Sequence, residues 1–274
     1  MSPPWRLAVF ILASAVGVLG LRLAHSFLSP WIPSAAREAS FVAVLAGGML
    51  IGHAWTFHLV DARGWRVVGL GRDGWRPSSI GIGAGLGALA IAGPSLALLA
   101  MGWLRLEAST PDSSLGAAAA TLAVLLPAAL WEELFVRGYA FSLLREHWGP
   151  VAAILVTSLL FGALHFLNDE ASVRAVVVVT LAGVFLGLVR VRTGSLYAAW
   201  AAHLAWNVVL VVVLHATVSG LVMDAPDYRM VDAGPDWATG GTWGPEGGVF
   251  AAAGLAVAAW FIFRRPSHRP EPDA

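Results

Sequence analysis

Long apolar runs separated by short polar segments dominate the chain. A helix that crosses a bilayer needs about 20 predominantly apolar residues. Eight runs approach or exceed this length, at about 5–25, 38–60, 79–104, 115–146, 150–167, 173–190, 194–214 and 247–264. Gly, Pro, Asp and Ser, the residues typical of turns, cluster between the runs. The pattern predicts an all-α fold, a polytopic membrane helix bundle of about eight transmembrane helices.

The chain reads as a single membrane domain over residues 1–274, because no internal repeat is evident. Residues 215–246 form the one long connection, rich in Asp, Gly and Pro, and are expected to be an extramembrane loop. The first apolar run could also be a signal peptide. It continues to about Ala24 without a convincing small-residue cleavage site, so a first transmembrane helix is favoured.

Arginine placement predicts the orientation of the bundle. With the N-terminus in the cytoplasm, eleven arginines fall on cytoplasmic segments and five on the opposite side. Arginine and lysine concentrate on the cytoplasmic side of membrane proteins. We therefore expect both termini inside, an N-in/C-in topology.

Composition narrows the class further. The chain is 58% hydrophobic and 12% charged, against roughly 25% charged residues in soluble domains. A net charge of zero gives no reason to expect a nucleic-acid partner, and the lack of cysteine excludes disulfides and thiol nucleophiles. Arginine is the only strongly basic residue type, and together with abundant Ala and Gly this indicates a high-GC bacterial genome. We expect a multi-pass protein of a bacterial inner membrane, with the lipid bilayer as its surroundings.

Polar groups interrupt three of the apolar runs. They are Glu132, Glu133 and Arg137 in the fourth run, His165 in the fifth, and His203 and Asn207 in the seventh. Ionisable groups within membrane spans are costly and usually face a protein interior or a water-filled cavity. At a rise of about 1.5 Å per residue, all of them lie about 13–22 Å from the predicted cytoplasmic ends of their helices. This shared depth predicts one common cavity.

Spacing within the helices suggests separate roles for the two carboxylates. Glu133 and Arg137 are four residues apart and can pair on one helix face. Glu132 points about 100° away from that face. A carboxylate can act as a general base, and histidine and amide groups can donate hydrogen bonds to an oxyanion. Together these groups suit the activation of water for amide hydrolysis inside a membrane.

Three motifs carry a family resemblance. EELFVR, FGALH and HLAWN match the motifs EExxxR, FxxxH and HxxxN in the same order. The chain thereby resembles the CPBP family of intramembrane proteases, which includes type II CAAX prenyl endopeptidases and bacterial members linked to bacteriocin self-immunity. The resemblance implies a catalytic core over 115–214.

The resemblance also implies a role for each motif residue. Glu132 would activate water with the help of His165, while His203 and Asn207 would stabilise the oxyanion. The other carboxylate and the arginine would be a supporting pair. The implied activity is that of an endopeptidase acting on a membrane-associated protein or peptide.

Two alternatives to a protease are open on the residues alone. Buried Glu and His also form proton relays, so a proton-coupled membrane transporter is one. A non-enzymatic membrane immunity or scaffold protein of the same fold is the other. Two histidines and a carboxylate are also a common zinc ligand set. The chain has no HExxH motif, so a site without a cofactor is favoured and zinc stays possible. The sequence does not predict an oligomeric state.

Several other features are expected to be structural. The stretch GLGRDG, from Gly69 to Gly74, matches GxGxxG, but it joins two membrane helices rather than a strand and a helix, so nucleotide binding is not expected. His53, His58 and His215 match no motif and are expected to be structural or interfacial. Phe161 is expected to pack, and residues 168–170 to form a solvated loop.

Overall fold

The computed structural model describes residues 2–109, 114–223 and 228–266 and is mostly helical. Its helices and strands, in chain order, are α1 Pro3–Leu28, α2 Ser34–Leu59, α3 Pro77–Ala100, β1 Leu104–Ala108, α4 Ser114–Arg137, α5 Tyr139–His165, α6 Val173–Thr193, α7 Leu196–Val208, β2 Tyr228–Asp232, α8 Asp236–Thr239 and α9 Val249–Phe263.

Six stretches among the described residues are long and apolar enough to cross a membrane. One of them, Gly116–His165, contains both α4 and α5. The final helix α9 is apolar but only 15 residues long. The chain is therefore a multi-pass membrane protein, whereas the number of eight helices and the N-in/C-in orientation stay predictions.

A single helix over 115–146 was the wrong expectation. Helix α4 ends at Arg137 and α5 begins at Tyr139, with Gly138 between them at ψ −127°. A side chain at Gly138 would collide with the imidazole of His53. That buried imidazole accepts a hydrogen bond from the Tyr139 backbone N–H at 3.2 Å, so His53 caps α5 in the structural role expected of it. Depths counted along one continuous helix therefore do not apply to Glu132.

A second break lies within α5. Gly149 has φ 82°, and Pro150 has no N–H for the helix to use. Beyond this break, Phe161 lies 4.4 Å under the guanidinium of Arg137 and clusters with Val136. Residues 150–165 therefore run back along α4, and their far end returns to the level of the polar groups of α4.

Two strands qualify the all-α expectation. β1 and β2 pair antiparallel, with Leu104 opposite Asp232. The third apolar run was expected to stay helical to residue 104, but α3 ends at Ala100 and Gly102 adopts φ 71°. Left-handed glycines commonly end helices in this way. The segment 215–246, expected to be an extramembrane loop, contains β2, α8 and a 3-10 turn at Gly241–Trp243, and a second such turn begins at Pro245.

Helix α7 is held in place by close backbone contacts. Side chains at Gly83 or Gly87 of α3 would collide with the backbone of Ala198 or Ala202 of α7. Small residues allow membrane helices to approach this closely. At the start of α7, the Leu196 N–H donates to the carbonyl of Gly69, 3.1 Å away. The glycine-rich stretch that resembles GxGxxG thus contributes to helix packing.

A charged network outside the spans ties the first two helices to α5. Asp61, just beyond α2, accepts hydrogen bonds from Arg63 at 2.9 Å, from Tyr139 at 3.1 Å and from Arg6. Burial opposes ionisation of Asp61, but these donors, Arg63 foremost, outweigh it and lower its pKa to about 2. The carboxylate therefore stays ionised and holds α1, α2 and α5 together.

Candidate active site

The carboxylate of Glu133 is the buried centre of the polar groups. Its Oε1 atom accepts hydrogen bonds from Arg137 at 3.1 Å and from Nδ1 of His203 at 3.0 Å. The side chains of Glu133 and Arg137 have no solvent exposure. This contact joins α4 to α7 and orients the ring of His203.

Arg137 makes further contacts that keep its charge in the interior. Its guanidinium donates to the carbonyl of Gly183 on α6, 3.1 Å away, and lies over the ring of Phe161. A buried charge is tolerable when it is paired and hydrogen-bonded. Phe161 thus packs against Arg137, and its ring also contacts that of His165, with ring centroids 4.5 Å apart.

Glu132 faces the other way, into a cavity. Its side chain is 25% exposed, and its Oε2 lies 3.8 Å from Nε2 of His203. This oxygen has no hydrogen-bond partner among the described residues. His203 therefore stands between two carboxylates, hydrogen-bonded to the buried Glu133 and approaching the cavity-facing Glu132.

His165 and Asn207 line the same cavity. Nδ1 of His165 lies 2.8 Å from the carbonyl of Phe161, which assigns the ring proton to Nδ1 and leaves Nε2 available. Asn207 lies one turn beyond His203 on α7. The fold gathers all six motif residues, but among the described residues neither His165 nor Asn207 hydrogen-bonds to Glu132 or His203.

The cavity has a volume of about 340 Å³, the size of a small-ligand pocket. Much of its wall is apolar or aromatic, including Trp131, Phe185, Leu186 and Trp206. A polar group of carboxylate, imidazole and amide thus faces a partly open and largely apolar cavity. Such an arrangement can hold water beside a base and accept an apolar peptide segment.

Some cavity residues were missed by sequence reasoning. Asn168 lines the cavity and donates to the carbonyl of Ser219 at 3.1 Å, although residues 168–170 had been expected to be a solvated loop. Glu246 and Ser219 also line it, from the segment expected to lie outside the membrane. The weak signal for Glu246 is an acid in the glycine-rich stretch GGTWGPEGG, directly before the last apolar helix.

The site does not present a formed metal centre. Among the parts of the chain that the structure describes, no three His, Asp or Glu side chains are grouped so as to hold a metal ion. Nδ1 of His203 is engaged by Glu133, and its Nε2 faces Glu132. The metal-free site that the sequence favours stays a prediction.

Fold and site together define a multi-pass helical membrane protein with paired carboxylates and histidines around a partly open cavity. Residues 114–209 match the family model described as type II CAAX prenyl endopeptidase Rce1-like. This match supports the resemblance to the CPBP family that the three motifs predicted. That family is a family of proteases, which supports a hydrolase. No curated protein and no solved structure matches the chain.

Proposed function

We propose that the protein is an intramembrane endopeptidase that hydrolyses a peptide bond of a membrane-associated protein or peptide. One observation carries the proposal. The side chain of Glu132 is 25% exposed and lines the cavity, whereas that of Glu133 has no exposure, and its Oε1 accepts from Arg137 and His203. Glu132 is thus free to act as a base, and Glu133 is suited to a supporting role.

In the proposed reaction, Glu132 removes a proton from water while the water oxygen attacks the carbonyl carbon of the substrate. His165 helps to orient the water through its available Nε2. The carbonyl oxygen becomes an oxyanion, which the amide of Asn207 can stabilise by hydrogen bonding. His203 can add a second donor when its ring carries both protons, because Nδ1 already serves Glu133. The proton on Glu132 then passes to the amine as the C–N bond breaks.

The surroundings of the site support a membrane-associated substrate. The cavity wall is largely apolar and lies among helices long enough to span a bilayer. We propose that the protein works without a metal, in a bacterial inner membrane. Purified protein containing stoichiometric zinc that is lost together with activity would contradict the metal-free mechanism.

The decisive experiment compares membrane-protein fragments in cells that carry the wild type or single variants. Glu132→Gln and His165→Ala should each lower cleavage by a factor of about 10²–10⁴, the usual contribution of acid–base catalysis. Glu107→Gln, an exposed acid on β1, is the matched control and should cleave like the wild type. Normal cleavage by both site variants, with all proteins folded and equally abundant, would rule out the proposal.

A further inference from the structure

Glu246 lies beyond the family-matched stretch, yet its carboxylate is built into the cavity wall. The residue is 6% exposed and occupies the turn Pro245–Gly247. Its Oε2 accepts from the indole of Trp206 at 2.8 Å, and its Oε1 accepts from the backbone N–H and the hydroxyl of Ser219, at 2.6 and 2.7 Å. Three donors satisfy one buried anion, as strong charge-assisted hydrogen bonds do.

Ser219 belongs to a short loop, residues 218–223, that forms part of the cavity lining. Ser219 has φ 49°, a left-handed conformation that is uncommon for a residue with a side chain and persists where the surroundings hold it. Asn168 donates to its carbonyl, and the N–H of Gly220 donates to the carbonyl of Trp243 at 3.1 Å. The loop is thus tied to Glu246, to the end of α5 and to the turn before α9.

The other partner, Trp206, lies on the helix that carries the site. It precedes Asn207 directly and follows His203 by three residues, a spacing that places it beside His203 on α7. Immediately afterwards the regular α-helical pattern gives way to a π-helix, Val209–Val213. The bond to Glu246 therefore anchors the last regular turn of α7 where its own helical pattern ends.

We propose that Glu246 is a positioning residue of this site and that the loop it anchors, residues 218–223, is the wall that contacts apolar side chains of the substrate. The loop presents Leu221 and Val222 at the cavity, with exposures of 56% and 84%. Apolar side chains left exposed at a cavity are suited to cover an apolar ligand. The inference rests on the proposed function and adds a preference for apolar residues next to the bond that is cut.

The first test measures the position of the loop and needs no turnover. Because the chain has no cysteine, a pair of spin labels can be attached at Val222→Cys and Leu167→Cys, both at exposed positions. Glu246→Gln replaces an acceptor of the Trp206 indole with a donor, so the distribution of label distances should broaden. Glu170→Gln, an acid bonded only to Thr242 among the described residues, is the matched control and should leave the distribution unchanged. An unchanged distribution in Glu246→Gln would overturn the positioning role.

The second test asks whether the loop contacts substrate. The probe is a synthetic peptide of about 20 apolar residues, added to full-length Glu132→Gln protein in lipid vesicles so that nothing is cleaved. The peptide should slow alkylation of Val222→Cys at least several-fold and leave Val177→Cys, an exposed position on α6, unaffected. Equal alkylation at position 222 with and without a saturating peptide would overturn the assignment of the wall.

Kinetics distinguish positioning from a general loss of folding. When the same peptide is given to protein that retains Glu132, Glu246→Gln should raise KM about tenfold, the scale of one charged hydrogen bond, with a smaller change in kcat. Trp206→Phe should have a similar effect, and the double variant little more than either, because both remove the same contact. Additive losses would contradict the shared role. Full activity in Glu132→Gln would instead defeat the proposed function and leave the label results to decide the role of Glu246.

Discussion

The buried pair of Glu133 and Arg137 leads to an asymmetric prediction about stability. Removing one partner of a buried ion pair typically costs about 3–5 kcal/mol, because the other charge is left unpaired. Arg137 cannot lose its proton, so in Glu133→Gln its charge remains beside the carbonyl of Gly183 and a neutral amide. We expect the full cost of about 3–5 kcal/mol for this variant.

Arg137→Met should be milder. The remaining carboxylate of Glu133 keeps its hydrogen bond from His203 at 3.0 Å, and that ring can take up a proton to balance the charge. Methionine also fills much of the vacated volume. We therefore expect a loss of about 2–3 kcal/mol, less than for an uncompensated charge. The double variant removes both charges and should lose less than either single variant.

The assay is a denaturant titration in mixed detergent micelles, followed by tryptophan fluorescence. The exposed pair of Glu107 and Arg229, 3.9 Å apart, supplies the matched control. Glu107→Gln should change stability by no more than about 1 kcal/mol. If Arg137→Met were as destabilising as Glu133→Gln, or if the double variant lost the sum of both, the reasoning from buried charge would be refuted.

Three further predictions concern the framework. Burial opposes ionisation of Asp61, but its hydrogen-bond donors, Arg63 foremost, lower its pKa to about 2. Ionised Asp61 should therefore contribute about 2 kcal/mol to the free energy of unfolding above pH 4, and this contribution should be lost as the pH falls towards 2. Acid titration of stability should show this loss in the wild type, and Asp61→Asn should lack it. Gly87→Ala should lower cleavage, because the added side chain would displace α7. Gly85→Ala on the same helix is the control, since a side chain there meets open space. Equal activities of the two variants would contradict the close packing of α3 against α7. Gly149→Ala should cost about 1 kcal/mol in thermal unfolding, because alanine is strained at φ 82°; an unchanged melting temperature would contradict that strain.

Local pattern was sufficient to predict a multi-pass helical membrane protein, since this follows from the length of the apolar runs. It was insufficient at Gly138, where apolar residues resume directly after the glycine, yet a new helix begins at Tyr139, whose N–H is capped by His53, 86 positions away. The same holds for the strands, in which Leu104 pairs with Asp232. These features depend on partners far apart in the chain, which periodicity does not report.

Glu246 shows the same limit within the site. Its surroundings in the sequence are typical of a turn, and its place before the last apolar helix is only a weak signal of burial. Its burial follows from Trp206, 40 positions away, and from Ser219. Motif matching identified the groups suited to chemistry, whereas the supporting contacts became visible only with the fold.

The break at Gly149 has a practical consequence for anyone who wishes to control the protein. A side chain at this glycine meets nothing within 4 Å, and the adjoining Trp148 is 68% exposed. Dividing the chain at Gly149 places Glu132 on the first fragment and His165 on the second, and the division falls at the existing break in α5. On the proposed function, the protein expressed as these two fragments should be inactive as either fragment alone and active as a protease once both are assembled in one membrane.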